Sequence, residues 1–320
     1  MSISDELAKE DLYKKALERA YAMSRKELEK LVNNVNEFKS FLILQAKHPR
    51  FNARNILLIK AQKPEGTLFF DKKTWASDIC GNRKIKSQES SVRLIVPRLN
   101  NRGQYELKAV FDISQTNHPK DYDLSHVIKK NIKRLEESRV ISQAIKECVE
   151  PQKLEPQIQS PQKNPIFKDD YEKGQYYINK HLEKKRGQDE QLKENHLLSK
   201  AIAFVLAVRY FENFTEKINE DGKSLENSFR VWQQGVQEVM AKDKIEGLKA
   251  VGIVASTVNK HARDMIYKID SKLNNRYLQL EMKKELVNDL KKTLEKDYLR
   301  DKSMEIQRNL PKGVTLEYGD

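Results

Sequence analysis

The sequence predicts an α+β protein, and three observations predict it. Apolar residues recur three and four apart through most of the chain, the mark of helices with one buried face. Between Thr67 and Ile113 that period gives way to short runs rich in β-branched and aromatic residues, which read as strands. A proline-rich break at 151–165 then precedes a stretch whose spacing is helical throughout.

Helix is expected over 4–36, where Leu7, Tyr13, Leu17, Tyr21, Leu28, Leu31 and Val35 fall mostly three or four apart with charge between them. Ser24, with Glu27 three residues on, has the form of a capping box that starts a second piece. Further helices are expected over Phe38–Ala46 and Ala53–Ala61, the latter closed by Pro64 and Gly66. Thr67–Phe70, Val92–Val96 and Tyr105–Ile113 read as strands, and Asn100-Asn-Arg-Gly103 supplies turn chemistry for an antiparallel hairpin between the last two.

Helical spacing returns from Ser125 to Cys148 through Val127, Ile128, Ile132, Leu135, Ile141 and Ile145. Residues 151–165 hold four prolines, whose fixed φ and missing amide hydrogen favour an extended, solvated spacer. Beyond them His196–Phe211 is apolar nearly all round, and Leu225, Phe229, Trp232, Val236 and Val239 form a stripe, as does Ile245–Ile269. Leu278, Met282, Leu286, Leu290, Leu294 and Tyr298 make a last stripe at fourfold spacing. The expected layout is a helical segment at 1–36, an antiparallel-sheet domain at 37–120, a helix at 121–150, the linker at 151–165, an all-helical region at 166–270 and an amphipathic helix with tail at 271–320. That final helix either packs on its own domain or docks a protein partner.

Charge is unevenly placed. Residues 47–110 hold 14 lysines and arginines against 5 acidic residues, a local net of +9 within a total of +13. A concentrated positive potential in a folded segment draws polyanions, nucleic acid first. The most apolar run, Ala201–Val208, is far shorter than the roughly 20 residues of a membrane span. The start of the chain, Met-Ser-Ile-Ser-Asp-Glu, lacks the basic then apolar order of a signal peptide. Cys80 and Cys148 form no ligand-like spacing, as suits a reducing compartment. A cytoplasmic location without membrane contact is expected.

Several short blocks in this basic region follow one another in a distinctive order: Phe51-Asn-Ala-Arg-Asn-Ile-Leu-Leu-Ile59, Gln62-Lys-Pro64, Trp75, Gly81-Asn-Arg-Lys84, Ile95-Val-Pro97 and Val110-Phe-Asp-Ile-Ser-Gln-Thr116. The series resembles the N-terminal single-stranded-DNA-binding domain of ArdC-type antirestriction and LtrC-like proteins of plasmids and conjugative elements, over about a quarter of the chain. The resemblance implies a DNA-handling protein of a mobile genetic element.

The residues themselves suggest how such a surface works. Arg54, Lys60, Arg83, Lys84, Lys86 and Arg93 can neutralise phosphates, and Trp75, Phe69 or Phe111 can offer faces on which bases stack. Trp75 and Phe111 read equally as core residues. Asn52, Asn55, Gln62 and Gln115 either bond bases and sugars, or close buried backbone groups or cap a helix. Asp112, which would repel phosphate, reads as structural.

ArdC-like proteins often carry a zinc metallopeptidase domain as well, and Lys200-Ala-Ile-Ala-Phe-Val-Leu-Ala207, Phe229-Arg-Val-Trp232 and Asp243-Lys-Ile245 resemble its later part. Zinc hydrolysis needs two histidines four apart, a neighbouring glutamate and a third ligand. No two of the six histidines are four apart, His181-Leu-Glu183 lacks its second histidine, and Lys200 stands where the resemblance places the third ligand. Residues 166–270 therefore read as a catalytically silent copy, and the chain as non-enzymatic with no cofactor. His118, Asp121, Asp123 and His126 read as a solvated turn sooner than a metal site. The alternatives are a zinc metallopeptidase with a disguised site and an interaction scaffold for transfer or replication proteins.

Overall fold

A computed structural model describes residues 3–98, 104–117, 135–150, 166–186, 196–211 and 213–275. The chain divides into two units, Met1–Ile269 and Asp270–Asp320; of the second, residues 270–275 are described and helical. The first unit is mostly helical with a three-stranded antiparallel sheet, so the α+β class holds.

Helix α1 (Ile3–Asn33) runs unbroken through Ser24, whose buried hydroxyl donates to the Tyr21 carbonyl at 2.9 Å. The helix start expected there is absent. The break falls at Asn34, whose side chain accepts from the Asn36 N–H at 2.8 Å and so caps α2 (Val35–Lys47). Asn52 caps α3 (Ala53–Gln62) in the same way, through the Asn55 N–H at 2.9 Å. Each cap satisfies an amide that the first turn leaves without a partner.

The strands are β1 (Phe69–Phe70), β2 (Val92–Pro97) and β3 (Tyr105–Asp112), in the order β1-β3-β2. Val92 lies opposite Val110 and Pro97 opposite Tyr105; the expected turn at 100–103 lies outside the described residues. β1 is shorter than expected because the N–H groups of Thr67 and Leu68 go to the Asp112 carboxylate, at 2.7 and 2.9 Å. The same carboxylate caps a 3-10 turn, Ile113–Gln115, which stops β3 one residue early. Two short elements were not foreseen: α4 (Lys72–Trp75), capped by Asp71, and the 3-10 turn Asp78–Cys80, which exits through Gly81 at φ 71°. That left-handed backbone suits glycine.

The strand side chains divide between two layers, by alternation except that Ile95 lies in the same core as its neighbour Leu94. Phe69, Val92, Leu94 and Val110 join Ala20 of α1 and Leu58 and Ile59 of α3 in one core. Phe70 and Phe111 face the other way and pack around Trp75 and Cys80.

The later helices are α5 (Leu135–Val149), α6 (Asp170–Arg186), α7 (His196–Tyr210), α8 (Thr215–Lys242) and α9, residues 244–269. Residues 125–134 of the expected helix, the proline-rich stretch 151–165 and the stripe from Leu278 to Tyr298 lie outside the described residues. α7, apolar on nearly every side, needs cover from several neighbours; α2, α6 and α8 supply it. Arg209 of α7 donates to the Ala46 carbonyl at 3.0 Å, and Asn259 of α9 donates to the Phe51 carbonyl at 3.0 Å. The Phe38 and Phe229 rings meet at 5.2 Å. Elements before and after 151–165 thus share one compact unit. No helix among the described residues is long and apolar enough to cross a membrane.

Candidate nucleic-acid interface

In the basic region, each acidic side chain is tied to a nearby partner. Glu65 holds Lys63 at 2.9 Å, Asp71 holds Lys108 at 2.8 Å, and Glu106 lies 4.0 Å from Arg98. Asp78 accepts from Asn82 at 2.7 Å and Glu89 from Gln115 at 2.8 Å. The Lys108 ammonium holds the Asp71 carboxyl at about 2, well below its ordinary value. The surplus lies on the surface: Arg54, Lys84, Lys86 and Arg93 are exposed, as are Lys47, Arg50, Lys72 and Lys73, and among the described residues none of them pairs with a carboxylate.

Lys84 and Lys86 sit on an extended segment fixed against the end of β3. The Lys84 carbonyl accepts from the Asn117 N–H at 2.9 Å, the Lys86 N–H donates to Gln115 at 3.0 Å, and Ile85 bridges Thr116 between them. The Lys86 ammonium also reaches the Ser114 carbonyl at 2.7 Å. Arg54 lies over the Tyr21 ring at 5.0 Å. Arg50 lies over the rings of both Phe51 and Phe70, at 4.8 and 4.4 Å. Such stacking orients a guanidinium while leaving its N–H groups for an anion.

The other expected site residues have structural work. Trp75 is fully buried and its indole N–H donates to the Phe111 carbonyl at 2.9 Å, which removes it as a surface platform; Phe69 is buried too. Arg83 is buried, so it does not belong to the exposed basic set. Gln115 accepts from the Asp112 N–H at 2.9 Å and donates to the Ser90 carbonyl at 2.8 Å. Asp112 is structural, as expected: burial alone would raise its carboxyl, but hydrogen bonds from Ser114, Leu68 and Thr67 hold it below its ordinary value. Asn52 caps α3 but stays exposed.

Lys60 is buried in an ionic cluster with Glu27, at 2.9 Å, and Glu37. Asn55 and Gln62 serve the sheet. Asn55 donates to the Ile95 carbonyl at 3.0 Å and accepts the Ile95 N–H at 2.9 Å. Gln62 does the same at Arg93, at 3.1 and 2.9 Å. Residues 93 and 95 point their backbone groups to the outer edge of β2, so two amides of α3 close that edge. On the opposite side the Leu107 N–H of β3 donates to the Tyr13 hydroxyl at 2.9 Å. Capping edges in this way removes a template for pairing with other chains.

Reading the sequence missed Tyr105 as a surface aromatic. It is 44% exposed at the start of β3, opposite exposed Pro97. The signal in the sequence was its place at the head of a strand run, just after the polar turn residues Asn100-Asn-Arg-Gly103. No three His, Cys, Asp or Glu side chains among the described residues lie close enough to hold a metal ion. No protein-family model, curated protein or solved structure matches this chain.

Proposed function

We propose that this chain binds single-stranded DNA without sequence preference and without catalysis. One observation carries the reading: in a segment of net charge +9, the acidic groups are held by local partners while Arg54, Lys84, Lys86 and Arg93 remain exposed with Lys47, Arg50, Lys72 and Lys73. Such a surface neutralises phosphates, and its affinity falls steeply with salt. Stacking falls to Tyr105 instead of Trp75; one base on an aromatic ring contributes about 1–3 kcal/mol. The resemblance to ArdC-type proteins adds a setting, the handling of a DNA strand that enters a cell through a mobile element. Residues 271–320 remain the candidate for a protein partner.

Fluorescence anisotropy of the full chain with labelled single- and double-stranded oligonucleotides tests this. Tighter binding of the single strand, weakened in a Lys84→Ala/Lys86→Ala/Arg93→Ala variant, is the expected result. Absence of single-strand binding at low salt overturns it.

A further inference from the structure

A second basic site lies away from the sheet. α6 and α9 border a cavity of about 310 Å³ into which His181 and Lys185 project from one side, and Lys260, His261, Asp264 and Lys268 from the other. The spacing explains the convergence: His181 and Lys185 are four apart on α6, and Lys260, Asp264 and Lys268 follow at successive fourfold steps on α9, each set sharing one helix face. Leu182 and Met265, both buried, complete the lining and exclude water from part of it.

Three lysines against one aspartate leave an excess of two positive charges. Burial, together with Lys268, Lys185, His261 and Lys184, holds the His181 imidazole at about 4, so it is neutral at neutral pH. Bringing like charges together at a partly enclosed site costs free energy that an anion would offset. A cation meets the opposite field, which argues against a metal despite the two histidines and the aspartate.

We infer that this cavity binds a compact phosphate-class dianion, free phosphate or a small phosphate monoester, held by Lys185, Lys260 and Lys268 with His181 as a further donor. The charge matches: a phosphate monoester carries about −1.5 to −2 at neutral pH, against the excess of two. The size matches as well, since the cavity lies at the lower end of the roughly 300–1,000 Å³ of small-molecule sites. Ammonium groups around one such anion form charge-assisted hydrogen bonds, which are about twice as strong as neutral ones, and the neutral His181 ring adds one N–H donor. This site is independent of the DNA reading, because its residues lie on α6 and α9 and not in the basic segment at 47–110.

The test is a titration of the full chain with inorganic phosphate at constant ionic strength, following the imidazole resonances by NMR, with His181→Gln assigning one of them. A saturable shift of the His181 signal is expected, and its protonation midpoint should rise by about one unit or more in saturating phosphate. Lys260→Gln and Lys268→Gln should each weaken phosphate binding about tenfold, the loss of one charge-assisted bond, while leaving affinity for a single-stranded oligonucleotide unchanged. No saturable shift, an equal response to chloride, or unchanged phosphate affinity in both variants overturns the inference. Loss of oligonucleotide affinity in either variant also overturns it, by assigning those lysines to a nucleic-acid backbone.

Discussion

The side-chain amide of Asn55 forms a two-bond ring with the backbone of Ile95, donating at 3.0 Å and accepting at 2.9 Å, so that a helix residue acts as one more strand residue along β2. The site is buried. Asn55→Leu keeps the bulk but leaves an N–H and a carbonyl without partners or water. An unpaired buried polar group costs about 1–3 kcal/mol, so a loss of about 2–3 kcal/mol in urea unfolding is expected. Gln62→Leu, whose bonds to Arg93 are exposed, should cost less than half as much because water replaces the amide. Equal losses would show that edge capping is not what these amides do.

Lys60 and Glu27 make a buried pair that is costly to break from one side only. Burial alone would raise the Glu27 carboxyl, yet hydrogen bonds from Lys30 and Lys60 hold it below its ordinary value. Lys60→Met leaves that carboxylate to Lys30 alone, at 2.6 Å, and losing one hydrogen bond to a charged group at a buried site costs about 1.5–3 kcal/mol. Adding Glu27→Gln should recover more than half of the loss, since no buried charge is then left at that position. A loss under about 1 kcal/mol for Lys60→Met, the range of surface pairs, would mean that Lys30 alone satisfies Glu27.

His48 makes stability depend on pH. It is 4% exposed, its Nε2–H donates to the Gly66 carbonyl at 3.1 Å, and its ring lies 5.3 Å from that of Phe69. Burial holds the imidazole at about 4 against an ordinary 6.5, despite the bond to Gly66. Between those values the unfolded chain binds the extra proton, so this contribution is complete above about pH 6.5 and is lost as pH falls through the window, to a limit of about 3 kcal/mol. His181 adds a loss of the same sign. Urea midpoints should drop from pH 7 to pH 5, and His48→Gln should flatten the drop. A midpoint independent of pH over that range would refute the neutral, buried imidazole.

How far the sequence revealed this arrangement depends on the distance to each residue's partner. The stripes of α1, α7 and α8 and the three strand runs are local patterns, and the elements stand where those patterns lie. Asn34, Asn52 and Asp71 cap helices through amides two or three residues away; two of these caps went unread, although the residue types were in plain view. Asn55 and Gln62 find their partners 40 and 31 residues along the chain, and Lys60 finds Glu27 33 residues back. An amide or a lysine reads the same in sequence whether it meets water, DNA or a distant strand edge. Lys60 did carry a local hint, for it follows Ile56-Leu57-Leu58-Ile59 on a helix that is buried nearly all round. Trp75 was open to two readings, and burial together with the bond to Phe111 decides between them.

Salt dependence separates residues that face DNA from residues that only support the fold. Each phosphate contact removed from a single-strand complex lowers the slope of log affinity against log salt by about 0.7. Lys84→Ala with Lys86→Ala should therefore lower it by about 1.4, at little cost in stability because both residues are exposed and water replaces the one bond lost, from Lys86 to the Ser114 carbonyl. Tyr105→Ala should weaken binding by about 1–3 kcal/mol, the worth of one stacked base, and leave the slope unchanged. Trp75→Phe removes the indole donor to Phe111 inside the core, so it should lower stability by about 1–3 kcal/mol and alter neither slope nor affinity while the protein stays folded. A Trp75→Phe protein that is stable but loses single-strand affinity would return Trp75 to the binding surface. The contact would then require the layer packed on Trp75, which includes Phe70, Cys80, Ile85 and Phe111, to open, since the closed fold buries the ring completely.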